Sequence, residues 1–345
     1  MTAETQIIRT QKGDKNFDLF SDFPKEIYPK LSPRFILGHD AVDAHLEACY
    51  VLLENGMVKG RLAFYENPKL FFKGEKAACI GSYECVDESN FSGILINYAK
   101  DLAKKKGYDY LIGPMEGSTW NNHRFSINDD KPPFFMEASH HRYYPKQFLK
   151  AGFSVISDYF SNQDEKLEVD LLQLQKFETH YLNKGAVFRN LNPNDLENEF
   201  KKIAKFSLDA FSDNFLFSPI SLEDFIAKYK KIEPLIDPNL VWIVENATGE
   251  IEAFIFSVLD HFDKINGNKT LIIKSMARKR DSKFKGIGSY LAAKTIALAK
   301  EQGFKKIIHA FMIKDNASKL ISEKYADAPF KTYALYGISL KTDKK

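Results

Sequence analysis

The residues best placed by type and spacing to do chemistry are Lys283-Phe284-Lys285-Gly286-Ile287-Gly288-Ser289, between a predicted strand and a predicted helix. Two glycines let the backbone come close to a ligand, and the first turn of a helix carries N–H groups with no partner inside the helix. Those groups, with the positive end of the helix dipole, suit a pyrophosphate. Arg278, Arg280, Lys283 and Lys285 add four cationic side chains around the same turn. The turn does not spell G-x-x-x-x-G-K-[ST]. Leu291 stands where a G-x-G-x-x-G would need its third glycine, so nucleotide hydrolysis and dinucleotide binding are disfavoured.

Other reactive residue types form weaker sets. His123, His140 and His141 with Asp129, Asp130 and Glu137 match no finger or helical ligand spacing, so the expectation is a polar loop and no metal. Cys49, Cys79 and Cys85 are odd in number and sparse. That argues for a reducing compartment and for buried apolar thiols instead of nucleophiles. Asp260 and His261 follow a predicted strand and read either as a general base for an amine or as a solvated turn. The loop Gly113–Asn122 is rich in small polar groups and reads as the lining of an acceptor groove or as surface cover. No G-x-S-x-G elbow occurs.

These residues must be held by elements, and the length of 345 residues implies two domains. Hydrophobic residues at 44% and charged residues at 28% exclude disorder along the whole chain. Lys plus Arg number 49 and Asp plus Glu 46, a net +3 too balanced to indicate nucleic-acid binding. No apolar run approaches the ~18 residues of a membrane span, and the first residues carry no apolar leader, so the expectation is a cytoplasmic protein with no membrane partner.

The chain repeats itself. Leu102-Ala103-Lys104-Lys105-Lys106-Gly107-Tyr108 reads against Leu298-Ala299-Lys300-Glu301-Gln302-Gly303-Phe304 at an offset of 196. Each copy ends an apolar-periodic helix with basic residues and a glycine, then starts a short apolar strand. In the first half strands are predicted near Gln6–Arg9, Cys49–Leu53, Val58–Tyr65, Ala77–Val86, Tyr110 and Ser154–Phe160, with helices near Phe17–Tyr28, Phe91–Lys106 and Pro145–Ala151. Glu54-Asn55-Gly56 marks a hairpin. The second half repeats the order: strands Val187–Leu191, Leu240–Asn246, Ile251–Leu259, Thr270–Met276, Lys306–Phe311 and Thr332–Leu340, helices Asp195–Phe211, Ser221–Lys231, Gly288–Lys300 and Asn316–Tyr325. The class is α/β with a mixed sheet, an α+β arrangement used twice. The charged stretch Asn162–Lys184, periodic at Leu171, Leu174, Phe177 and Tyr181, reads as a linking helix. The division is then 1–165, a linking segment 166–184, and 185–345.

Residues Ile272 to Gly288 resemble the acyl-CoA-binding motif of the GNAT N-acetyltransferases, in which a strand splays from its neighbour and turns into a helix through a basic, glycine-containing loop. The resemblance implies that a pantetheine arm pairs with the backbone at Met276, Ala277 and Arg278. It also implies a pyrophosphate on the amides of Lys283, Phe284, Lys285, Gly286, Ile287, Gly288 and Ser289. Arg280 stands where proline is usual, Lys283 where Gln or Arg is usual, and Phe284 where glycine is usual, a departure that matters if that position needs a positive φ. The next family motif is matched by Asn316 to Ala326. Asn316 then faces the cofactor or caps the helix, and Ser322 falls where the family's proton-donating tyrosine stands. Tyr325, three residues on, is the candidate general acid, against a role in packing. At the same offset the first half has Glu88-Ser89-Asn90-Phe91-Ser92-Gly93, acidic and without the glycine pair, so it resembles a degenerate GNAT unit. Stretches such as Glu84–Glu88, Gly113–Thr119 and Tyr143–Phe153 resemble those of bacterial proteins built from two GNAT units in tandem.

The resemblance implies an enzyme that passes an acyl group from acetyl-CoA or a longer acyl-CoA, without a metal, to the amine of a small molecule or peptide. Two other readings stand beside it: an aminoacyl-tRNA-dependent transferase of the peptidoglycan-bridge type, and a non-catalytic module that binds acyl-CoA.

Overall fold

The computed structural model describes residues 4–30, 32, 41–128, 131–265, 267–314, 316–326 and 329–341. In chain order the first elements are β1 (Thr5–Thr10), α1 (Phe17–Ile27), β2 (Leu46–Glu54), β3 (Met57–Tyr65), β4 (Phe71–Phe72), β5 (Glu75–Cys85), α2 (Ser89–Lys105), β6 (Tyr110–Gly113), β7 (Phe125–Ser126), α3 (Tyr144–Lys150) and β8 (Ser154–Asp164). They are followed by α4 (Leu171–Asn183), β9 (Val187–Asn190), α5 (Leu196–Ala210), α6 (Leu222–Ile232), β10 (Val241–Glu245), β11 (Ile251–Leu259), α7 (His261–Ile265), β12 (Thr270–Arg278), α8 (Ile287–Glu301), β13 (Lys306–Ile313), α9 (Ala317–Ser322) and β14 (Pro329–Ser339).

Two compact units result. The first comprises Met1–Asp158, Phe215–Ser218 and Tyr333–Lys345, and the second Tyr159–Asn214 and Pro219–Thr332. In the first, β1, β2, β3 and β5 pair antiparallel, β5 pairs β6 in parallel, and β14 pairs β6 antiparallel. In the second, β9, β10, β11 and β12 pair antiparallel, β12 pairs β13 in parallel, and β8 pairs β13 antiparallel. The strand pattern is therefore the same twice, as the internal repeat requires. Each unit includes a strand from the other half of the chain: Tyr333–Ser339 of β14 in the first unit, Tyr159–Asp164 of β8 in the second.

Local sequence explains the elements that carry the site. The β2–β3 hairpin turns at Asn55 (φ 48°) and Gly56 (φ 80°), a pair that tolerates two successive left-handed residues. Helix α8 buries Ile287, Tyr290, Leu291, Ala292, Thr295, Ile296 and Ala299 against β11 and β12, and Gln302 and Gly303 end it. Helix α2 buries Phe91, Leu95, Ile96, Ala99 and Ala103 in the first-unit core with Leu52, Leu62, Phe64 and Ile80.

The two parallel pairs differ where they end. In the first unit the chain leaving β6 folds back on β5: the Met115 N–H donates to the Ile80 carbonyl at 2.8 Å, and the Ser82 hydroxyl to a Glu116 carboxylate oxygen at 2.8 Å. A Cβ on Gly81 would lie 2.7 Å from Glu116 Cγ and 2.9 Å from the Met115 carbonyl oxygen. The first-unit opening is thus filled by its own chain. Gly81→Ala should cost about 1–3 kcal/mol of stability through overpacking, read as a lowered melting temperature. Helix α8 and its turn lie in the other unit and should keep whatever ligand affinity they have.

Candidate acyl-carrier site

In the second unit the strands part. The β12–β13 ladder runs from Thr270–Lys306 to Ile273–His309 and stops, although β12 continues to Arg278 and β13 to Ile313. Two irregularities separate them. Lys274 is skipped between the pairs Ser257–Ile273 and Phe256–Ser275, a bulge on β12. On β13 the register with β8 shifts between His309 and Met312, where Phe311 adopts φ 59° and donates its N–H to the Ser161 hydroxyl at 3.1 Å. Beyond the bulge, Ser275–Arg278 pair with β11 on one edge and, among the described residues, have no strand on the other. Lys274 reaches across the opening, its ammonium 4.8 Å from the Phe311 ring centre.

The loop after β12 leads into the N-terminus of α8. Gly286 is the residue before the helix, with φ 81° and no side chain capping the first turn. Positive φ is needed there and not at Phe284, so the phenylalanine in place of the family's glycine carries no backbone strain. The Phe284 ring is fully buried in the second-unit core, and its N–H goes to the Ser282 hydroxyl at 3.2 Å. The Ile287 N–H goes to the Phe284 carbonyl at 3.2 Å. Among the described residues, the amides of Lys283, Lys285, Gly286, Gly288 and Ser289 have no protein partner. Of the seven amides in the motif, five are therefore available and two hold the turn.

The charges sort likewise. Arg280 pairs with Asp213 at 2.8 Å and with the Ser212 hydroxyl, and Lys279 lies 3.8 Å from Glu250. Arg278 is exposed and reaches the Arg280 carbonyl at 3.5 Å. Lys283 and Lys285 are exposed and have no carboxylate partner among the described residues. Lys324, just past α9, reaches the Ser289 hydroxyl at 3.4 Å. Gly288 has space for no more than a glycine without adjustment: a Cβ would meet Ile321 Cδ1 at 3.3 Å and Met276 Sδ at 3.6 Å. Met276 and Ile321 thus converge on the first turn of α8.

Asn316 caps α9, its side-chain oxygen accepting the Ser318 N–H at 3.3 Å. Tyr325 is half-buried against the second-unit core, edge-on to His309 with ring centres 6.2 Å apart. Burial, and secondarily the charge of Asp164, raise its phenol above the ordinary value. The cysteines are buried, and burial pushes the thiols of Cys49 and Cys85 up to about 12, which makes them inert. His140 accepts the Ser126 N–H at 2.7 Å and His141 bonds the Ile27 carbonyl at 3.1 Å, while Asp129 and Asp130 lie outside the described residues. No group of three or more His, Cys, Asp or Glu among the described residues is arranged to hold a metal ion. Asp260 accepts the N–H groups of Phe262 and Asp263 at the start of α7, and His261 bonds the Leu235 carbonyl at 3.2 Å. In the Gly113–Asn122 loop, the Trp120 indole donates to the Ser218 carbonyl at 2.8 Å.

A polar cluster at the parting of the strands has no obvious mark in the sequence. The His309 Nδ1 lies 2.7 Å from the Ser322 hydroxyl, which also accepts from the Asn162 amide at 2.9 Å. All three residues are at least 95% buried, and His309 Nε2 and Asn162 Oδ1 lack partners among the described residues. Only the coincidence of a histidine in one strand with a serine thirteen residues later could have signalled it.

No protein-family model matches the chain. Solved structures match it over nearly its whole length. A GCN5-related glucosamine N-acetyltransferase region in a fungal multi-domain β-N-acetylglucosaminidase superposes with a TM-score of 0.61, 15% identity, and coverage of 98% of this chain and 38% of that one. A tandem GNAT protein from the clavulanic acid biosynthesis pathway gives 0.55 and 12%, covering 99% of this chain and all of that one. A probable N-acyltransferase from Enterococcus faecalis V583 gives 0.57 and 10%, covering 98% and 73%. The chain therefore has the GNAT fold, built in tandem. Among curated proteins it is similar to a bacterial ceramide synthase of Caulobacter vibrioides, 23% identical over 175 residues, which is 48% of this chain and 43% of that protein. Less than half of that relative is matched. No helix among the described residues is long and apolar enough to cross a membrane.

Burial depresses His309 to about 4, below the ~6.5 of an unfolded histidine. The unfolded chain binds the extra proton, so this stabilisation is complete above pH 6.5 and is lost as pH falls towards 4. The expected loss is of order 3 kcal/mol. Melting curves of the wild type and His309→Gln across that window should converge; parallel curves would contradict a neutral buried imidazole.

Proposed function

We propose that the second unit binds an acyl-CoA and transfers its acyl group to an amine, the first unit having kept the fold without the carrier site. The observation that carries this reading is the set of five unpartnered amides at Lys283, Lys285, Gly286, Gly288 and Ser289, beside the uncovered edge of β12. A diphosphate satisfies such amides and the helix dipole together, and Lys283 and Lys285 add charge attraction. The free edge at Met276, Ala277 and Arg278 has the spacing of backbone donors and acceptors that an amide-containing pantetheine arm needs. The first unit supports the contrast: its opening is filled by Met115 and Glu116, and Asp87 and Glu88 precede α2. Likeness to a ceramide synthase is in keeping with transfer to an amine, since ceramide is an amide.

In this reading Asn316 fixes the start of α9 beside the carrier, and Phe284 and Ile287 shape the turn through buried side chains. The neutral amine attacks the thioester carbonyl, water takes the proton that nitrogen loses as the C–N bond forms, the C–S bond breaks, and the departing thiolate takes a proton from Tyr325, whose phenolate is reprotonated from solvent. Its raised phenol keeps that proton at neutral pH. Acetyl-CoA is the first donor to test.

Calorimetric titration with CoA is the test. Wild type should bind saturably. Lys285→Glu, which alters only an exposed side chain, should weaken binding about tenfold or more, and Gly286→Glu should abolish it with the circular dichroism unchanged. Equal affinities would remove the site from Lys285 and Gly286. Free-thiol release from acetyl-CoA over a panel of amines separates transfer from mere binding. Tyr325→Phe should lower that rate about 100-fold with little change in CoA affinity; an unaltered rate would place the proton source elsewhere.

A further inference from the structure

Helix α4 lies between the two halves in sequence, yet it touches the turn before α8. Tyr181, 98% buried, donates its phenolic hydrogen to the Lys285 carbonyl at 2.9 Å. Its ring packs edge-on against Phe284 and Tyr290, with centres 6.3 and 5.4 Å apart. A salt bridge of 2.7 Å from Glu178 to Lys294 fastens α4 to α8, and the Lys294 ammonium sits 4.8 Å from the Trp242 ring centre. The tyrosine is therefore packed between the turn and α8, on a helix that is itself tied to α8.

The bonded carbonyl belongs to the peptide unit that ends in the Gly286 N–H. A trans peptide is planar, so its C=O and N–H point in opposite directions. With the Lys285 oxygen drawn towards Tyr181, the Gly286 N–H must face the other way, and Gly286 is exposed there. Glycine permits the alternative: a turn of the peptide plane exchanges its positive φ for a negative one at little steric cost. In that orientation a carbonyl oxygen would face the anion and repel it.

Resting on the acyl-CoA reading above, we propose that Tyr181 is a positioning residue for the diphosphate-binding turn, locking the Lys285–Gly286 peptide with its N–H outward. The lock is supplied by the connecting helix, outside the strand–turn–helix motif itself. Tyr181→Phe keeps the ring and its packing and removes only the donor.

Two measurements test it: calorimetry with CoA, and the amide spectrum of protein labelled with 15N-glycine. In the wild type, CoA should move the Gly286 cross-peak downfield. In Tyr181→Phe the CoA dissociation constant should rise about fivefold or more, the loss of one hydrogen bond, and the Gly286 peak of the free protein should broaden or double as the peptide samples two orientations. A role in packing alone would lower the melting temperature with a sharp Gly286 peak and unchanged affinity, and that result overturns the proposal. Wild type that fails to bind CoA sinks the acyl-CoA reading first and this inference with it. Should Tyr181→Phe fail to fold, the wild-type spectrum decides: a Gly286 amide unmoved by saturating CoA refutes the lock.

Discussion

Backbone N–H groups at the start of a helix need a partner that the helix itself does not provide, and at α8 no side chain caps the turn and a neighbouring carbonyl serves only the Ile287 N–H, leaving those of Gly288 and Ser289 without a partner among the described residues. The rest of the second unit is arranged around that deficit. Gly286 takes the left-handed conformation that starts the helix, Phe284 anchors the turn in the core, and Ser282 ties down the Phe284 amide. The bulge at Lys274 and the kink at Phe311 take β12 and β13 apart beside the same turn. An orphan donor exposed to water costs little, whereas one aimed at an anion contributes a charge-assisted hydrogen bond. The arrangement thus leaves these donors open to solvent without a large cost in stability.

Comparison of the two units shows how the turn differs while the strand pattern remains. Strand order and the parallel pair are retained in the first unit. What differs is local: Glu88 in place of glycine at the helix start, and a loop after β6 that returns Met115 and Glu116 to the strand edge. Burial of Ile80, Leu95 and Leu111 is indifferent to those changes, because core packing depends on apolar shape and not on what the turn presents to solvent.

Much of this could be read from residue types. Asn55-Gly56 marked a hairpin because two left-handed residues in succession leave few choices, and Lys285-Gly286-Ile287-Gly288 marked a strand-to-helix turn for a related reason. The helices with apolar periodicity lie where the spacing put them. Three things were not legible. Asn162 and Asp164 are polar and stood at the beginning of the stretch read as a connector, but they are buried residues of β8 whose side chains bond the Ser322 hydroxyl and the Lys166 N–H. Polarity signals exposure only when no partner is waiting. The pairing of β14 with β6 depends on residues more than two hundred positions apart, beyond any periodicity. Tyr181 was visible as one apolar step of a helix; its hydroxyl acquires a role only when α4 is packed beside α8.

The shared strands bear on how the chain is made. A ribosome releases the first unit's α1, its hairpin and α2 long before Tyr333–Ser339 are translated. Until then β6 exposes an open edge of unsatisfied backbone groups, the kind of edge that recruits stray chains. The first unit of this protein must therefore wait in a half-closed form throughout the synthesis of the second. Its vulnerability to misassembly is greatest on the nascent polypeptide and ends when β14 arrives.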